Sequence, residues 1–183
     1  MADVLFGDVD PAGRLTTTFP NNIGQVPVYY NHANTGRPGT GEYKGNYADG
    51  PTAPLYPFGF GLTYTKFGYG KTWLDAPVLK RGGSLVAHVT LANTGSRAGT
   101  ETVQLYIRAL AASAGARPVR ELKDFQKVQL RQGESRDVPF SLAANDLGYY
   151  DAKGNWLVEP GKYQLWISKD SASGQPVEFE LVK

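Results

Sequence analysis

The sequence predicts a mainly β protein: an immunoglobulin-like β-sandwich preceded by a long aromatic-rich loop segment and a short helical remnant. Three observations carry that prediction. The 183 residues include 22 Gly and 12 Pro, which leaves little room for long helices. From Phe67 onward, short apolar/polar alternations are separated by turn residues, the pattern of half-buried strands. Between Asn21 and Tyr64 neither a helical nor a strand period emerges.

In chain order, Ala2-Asp3-Val4-Leu5-Phe6 has the residues of a last helical turn, which Gly7 can end with a left-handed cap. One turn is unstable unless packed, so these residues are expected to belong to a longer docked helix. Asp10-Pro11-Ala12-Gly13 reads as a turn and Leu15 to Phe19 as a short extended piece ended by Pro20. The loop that follows is too rich in aromatics to lie free in water, with Tyr29, Tyr30, Tyr43, Tyr47, Tyr56, Phe58, Phe60 and Tyr64.

Beyond it, Trp73 and Leu74 are expected in the first strand. Leu85, Ala87, Val89 and Leu91 face inward on the next, with Val86, His88 and Thr90 outward. Val103, Leu105 and Ile107 face inward on a further strand, with Gln104, Tyr106 and Arg108 outward. Phe125, Val128 and Leu130 mark another, followed by Val138, Phe140 and Leu142, then Tyr163, Leu165 and Ile167, then Val177, Phe179 and Leu181. About seven strands in little over a hundred residues suits such a sandwich.

Composition excludes several classes. Nineteen Lys and Arg against 17 Asp and Glu give a formal charge of +2 without a like-charge run, so no nucleic-acid or membrane partner is indicated. No stretch of eighteen apolar residues occurs, and Met1-Ala2-Asp3 does not open a signal peptide. The absence of Cys rules out disulfides and thiolate chemistry. No phosphate-binding glycine loop follows a strand, and no cofactor or metal is called for.

Several ordered motifs resemble a known family. Gly7-Asp8-Val9-Asp10-Pro11-Ala12-Gly13-Arg14-Leu15-Thr16-Thr17-Thr18-Phe19-Pro20 resembles the stretch that closes the α/β sandwich domain of family 3 glycoside hydrolases. Tyr56-Pro57-Phe58-Gly59-Phe60-Gly61-Leu62-Thr63-Tyr64-Thr65 resembles the family's link into its C-terminal, fibronectin type III-like domain. Val26 to His32, Asn34 to Pro38 and Pro118 to Phe125 follow in the same order, and the likeness looks closest to bacterial periplasmic β-glucosidases. It implies a division into 1–20, a remnant of the α/β domain, 21–66, an aromatic-rich linker, and 67–183, the sandwich. It also implies a non-catalytic piece that braces the catalytic domains of a retaining β-glucosidase, located in the periplasm or secreted.

Such enzymes use an Asp nucleophile and a Glu acid/base, and neither motif is matched in this sequence. No catalytic residue is carried over, and the chain alone is expected to be inactive. Other carboxylate pairs are Asp8 with Asp10, Glu42 with Asp49 and Asp146 with Asp151, of which the first and last flank turns, where Asp ordinarily accepts backbone N–H bonds. His32 and His88 are far apart and indicate no metal.

A sugar-binding alternative remains, because sugar C–H faces pack on rings while hydroxyls need polar partners. The segment Tyr29 to Tyr69 holds ten of the 22 aromatics. Tyr30, His32, Asn34, Arg37, Tyr43, Tyr47 and Trp166 are the sugar-contacting candidates, with a glucan or plant polymer as the ligand. The preferred reading is that these rings pack the linker in place. Trp166 falls on an outer sheet face, packed under a loop or exposed, and Trp156 is expected at a buried sandwich edge.

Overall fold

The computed structural model describes residues 2–33, 50–110 and 115–183. A single-turn helix, Ala2–Phe6, ends at Gly7 with φ +84°, a left-handed cap that a side chain would strain. A 3₁₀ turn follows at Ile23–Gln25.

Among the described residues eleven strand segments come next: β1 (Phe67–Tyr69), β2 (Trp73–Leu74), β3 (Val78–Lys80), β4 (Ser84–Asn93), β5 (Gly99–Ala109), β6 (Glu121–Leu130), β7 (Ser135–Ala143), β8 (Tyr149–Tyr150), β9 (Trp156–Leu157), β10 (Gly161–Ser168) and β11 (Val177–Val182). In the first sheet β4 pairs with β7 on one side and with β1 and β2 on the other. The second sheet runs β3-β11-β10-β5-β6, antiparallel except for the parallel β3–β11 pair. The small hairpin β8–β9 stands apart.

The period-two pattern explains the core. Register sets Leu85 opposite Leu142, Ala87 opposite Phe140 and Val89 opposite Val138 in one sheet. In the other it sets Leu105 opposite Ile167 and Ile107 opposite Leu165. All ten are buried in one cluster with Tyr163, Phe179 and Leu181, each large side chain contributing about 1.5–3 kcal/mol by leaving water. Asn93 is buried among them with its amide satisfied. Its Oδ1 accepts from Thr65 Oγ1 (2.7 Å) and Gly95 N–H, and its Nδ2 donates to the carbonyls of Arg97 and Leu130.

Four expectations need correction. The first strand is Phe67–Tyr69, and Trp73 and Leu74 form the second, because both short strands line the same edge of β4. Eleven segments replace about seven, five of them only two or three residues long. Phe125 is not core: it is 56% exposed, since a residue three before Val128 falls on the opposite face at period two. Trp156 is not buried at the sandwich edge. It stands 43% exposed beside Tyr150, its indole N–H donating to Asn145 Oδ1.

Candidate functional site

The outward positions of β5 distinguish this sandwich from a solvent-facing one. Gln104 and Tyr106 point away from the core yet are buried, because the chain before β1 lies across them. Two segments far apart in sequence form that cover as an irregular ribbon. Leu15 N–H donates to the Phe60 carbonyl (2.8 Å), Gly59 N–H to Leu15 (2.8 Å) and Phe19 N–H to Tyr56 (2.9 Å). The two motifs at 7–20 and 56–65 are thus partners in space.

Polar contacts anchor the ribbon. The Asp10 carboxylate accepts from Thr63 Oγ1, from Tyr64 N–H (2.7 Å) and from Thr100 N–H (3.0 Å), tying turn, linker and β5 together. Arg14 Nη2 pairs with Glu101 Oε2 at 2.9 Å, both side chains nearly inaccessible. Tyr69 donates its hydroxyl to the other Glu101 oxygen (3.1 Å), and Thr102 donates to the Ala12 carbonyl (2.8 Å). Gln104 Nε2 donates to the carbonyls of Gly59 and Lys169, while Tyr106 donates to Gln104 Oε1 (2.6 Å).

Burial pushes the Glu101 carboxyl above its ordinary value although Arg14 pulls the other way. Burial and then the Glu101 charge drive the Tyr69 hydroxyl well above the usual phenol range.

Gly59 is required where it sits. Its φ is +82°, and a Cβ there would stand 2.2 Å from Gln104 Oε1 and 2.9 Å from the Tyr106 hydroxyl. Gly59→Ala is expected to cost about 1–3 kcal/mol through left-handed strain and displaced Gln104, read by urea denaturation. An unchanged midpoint would show that the linker is not docked as described.

The sequence candidates divide. Tyr30 stacks on Phe58 (centroids 4.1 Å), meets Tyr106 edge-on, and its hydroxyl accepts from Leu122 N–H at 3.3 Å. Burial raises that hydroxyl's pKa. Trp166 is buried, with the Arg120 guanidinium 4.2 Å over its ring. His32 is exposed, and its carbonyl accepts from Val119 N–H. Tyr30, His32 and Trp166 share one cleft of about 380 Å³ with Arg108 and Arg120, whereas Asn34, Arg37, Tyr43 and Tyr47 lie outside the described residues. The two arginines were missed as site residues. The available signal was that Arg108 continues the outward series of Gln104 and Tyr106, and Arg120 sits within the Pro118-to-Phe125 motif.

Two of the carboxylate pairs considered lie within the described residues. Asp10 is an anchor, Asp146 accepts from Ala143 N–H, and Asp151 accepts from Lys153 N–H, Asn155 N–H and the Asn155 side chain. Glu42 and Asp49 lie outside the described residues. Among the described residues no group of three His, Cys, Asp or Glu could hold a metal. His88 stacks flat on Trp73 (3.8 Å, 2°) and meets Asp137 at 2.8 Å.

The buried polar contacts thus fix the described chain before β1 to the β-sandwich. Residues 1–64 match the glycosyl hydrolase family 3 C-terminal domain, and residues 101–171 match a fibronectin type III-like domain. The chain corresponds to the C-terminal region of the family 3 glycosyl hydrolases.

It is 42% identical to a periplasmic β-glucosidase of Salmonella typhimurium, over all of this chain and 24% of that protein. It is 40% identical to a β-xylosidase of Formosa agariphila, over 93% of this chain and 23% of that protein. Among solved structures, a β-glucosidase from Listeria innocua in complex with gluconolactone superposes with TM-score 0.91 at 37% identity, over the whole chain and 26% of the other. The chain spans about a quarter of the length of the relatives it matches.

Proposed function

We propose that the chain is a non-catalytic brace for the catalytic domains of a β-glucosidase-type enzyme that hydrolyses terminal β-glucosides. In this reading residues 1–20 complete the α/β domain, 21–66 form the linker and 67–183 the bracing sandwich. The supporting observation is where apolar surface stays uncovered. Eleven of the seventeen exposed large apolar side chains among the described residues fall in the first 64, including Phe6 (83% exposed), Ile23 (91%), Leu5 and Leu62. Uncovered apolar surface of this kind marks an interaction site, and Asp10, Arg14 and Gly59 of the same stretch are bonded to the sandwich. The periplasmic location of the Salmonella relative supports a periplasmic or secreted enzyme. Autonomous polymer binding through Tyr30 and Trp166 has weaker support, since Phe58 and Arg120 already cover their rings.

The purified chain is expected to release no nitrophenol from p-nitrophenyl β-glucoside or β-xyloside above buffer. Turnover abolished by substituting a single Asp or Glu would overturn the non-catalytic assignment.

A further inference from the structure

The cleft beneath the linker is cationic as well as aromatic. It is lined by Tyr29, Tyr30, His32, Arg108, Arg120 and Trp166 among others, with no acidic side chain among the described residues of its wall. The two stacking platforms are already covered, so what remains available is donor capacity and positive charge. Arg120 spends Nη1 on the carbonyls of Ser171 (2.5 Å) and Ser173 (2.9 Å). Burial lowers its pKa only to about 10, so it stays cationic at neutral pH.

Arg108 is half-buried, and no group among the described residues accepts a hydrogen bond from its guanidinium. Among the described residues the Asp170 carboxylate offsets part of the Arg120 charge, whereas no ion pair forms to Arg108. Glu121 is held by Lys123 at 2.7 Å, and Asp170 accepts from Ala172 N–H and Ser173 Oγ.

We propose that this cleft binds an acidic sugar, with its carboxylate held by Arg108 and Arg120 and its hydroxyls facing Tyr29, Tyr30 and His32. Guanidinium groups match carboxylates in geometry as well as charge. A cavity of about 380 Å³ is within the size range of small-molecule sites. A neutral sugar would find no free ring to stack on at Tyr30 or Trp166 and would bring no anionic partner to Arg108. The inference does not require the bracing role, because Arg108 and Arg120 both belong to this chain.

The test is a titration of the 183-residue chain, followed by NMR, with glucuronate, glucose and acetate to tens of millimolar. Glucuronate is expected to bind at least about tenfold more tightly than either glucose or acetate. Arg108→Gln should weaken it by about tenfold or more, the loss of a charge-assisted hydrogen bond, with an unchanged melting temperature because the Arg108 guanidinium bonds no other group among the described residues. Added salt should weaken binding further. No saturable binding, equal affinity for glucose, or indifference to Arg108→Gln would each overturn the proposal. Acetate binding as tightly as glucuronate would overturn its sugar component.

Discussion

Arg14→Ala is expected to cost about 3–5 kcal/mol and to release the linker from the sandwich, because it leaves Glu101 buried without a counter-charge. The loss should depend on pH in a defined direction. The folded-state pKa of Glu101 already lies above its ordinary value, and Arg14 is the larger of the influences holding it down. Without Arg14 it rises further, so the folded state resists ionisation while the unfolded state ionises freely.

Stability at this site is therefore retained below the unfolded carboxyl pKa of about 4.3 and lost as pH rises through the folded one. Urea denaturation of both proteins should give a difference that is large at neutral pH and shrinks towards pH about 4. A difference independent of pH would show that Glu101 is solvated. Hydrogen exchange should locate the change: the amides of Leu15, Gly59 and Ser171, which donate across the docked ribbon, lose protection while those of β4 and β7 keep it.

Phe140→Ala is expected to be as costly but in another way. Its ring is fully buried opposite Ala87, between the two sheets, and removing it costs about 3–5 kcal/mol from lost transfer energy and a residual cavity. Against a total stability of about 5–15 kcal/mol, that is enough to lower the melting temperature sharply. Here protection should fall throughout β4, β7, β5 and β10 together. A loss confined to the linker amides would contradict the assigned core.

The sandwich was legible because its inward residues obey one rule. Leu85 to Leu91 and Val138 to Leu142 each alternate cleanly with burial following the alternation, and Tyr163, Leu165 and Ile167 are buried as their spacing requires, although the outward Trp166 between them is covered as well. Phe125 shows where the rule was misapplied, since three-residue spacing cannot keep a strand residue on one face.

The docked linker was legible only in part. Its aromatic content said that it must lie against something, but Gln104 and Tyr106 look like ordinary outward residues in a strand pattern. Their burial arises from contacts across 45 or more positions in sequence. The Arg14–Glu101 pair, separated by 87 positions, carries no local signal for the same reason. The cleft sits between these cases. Tyr30, His32 and Trp166 were named from chemistry, but that two arginines would join them, and that Phe58 and Arg120 would cover two of the rings, depended on how the linker crosses the sheet.

The bracing role is tested most directly in a chimera that joins this chain to the preceding domains of the Salmonella typhimurium β-glucosidase. Phe6→Asp with Leu62→Asp alters two exposed apolar side chains of the first 64 residues. In the isolated chain this double substitution should leave the melting temperature unchanged. In the chimera it should lower both the melting temperature and β-glucoside hydrolysis. A chimera whose stability and activity are unmoved by the substitutions would contradict the account.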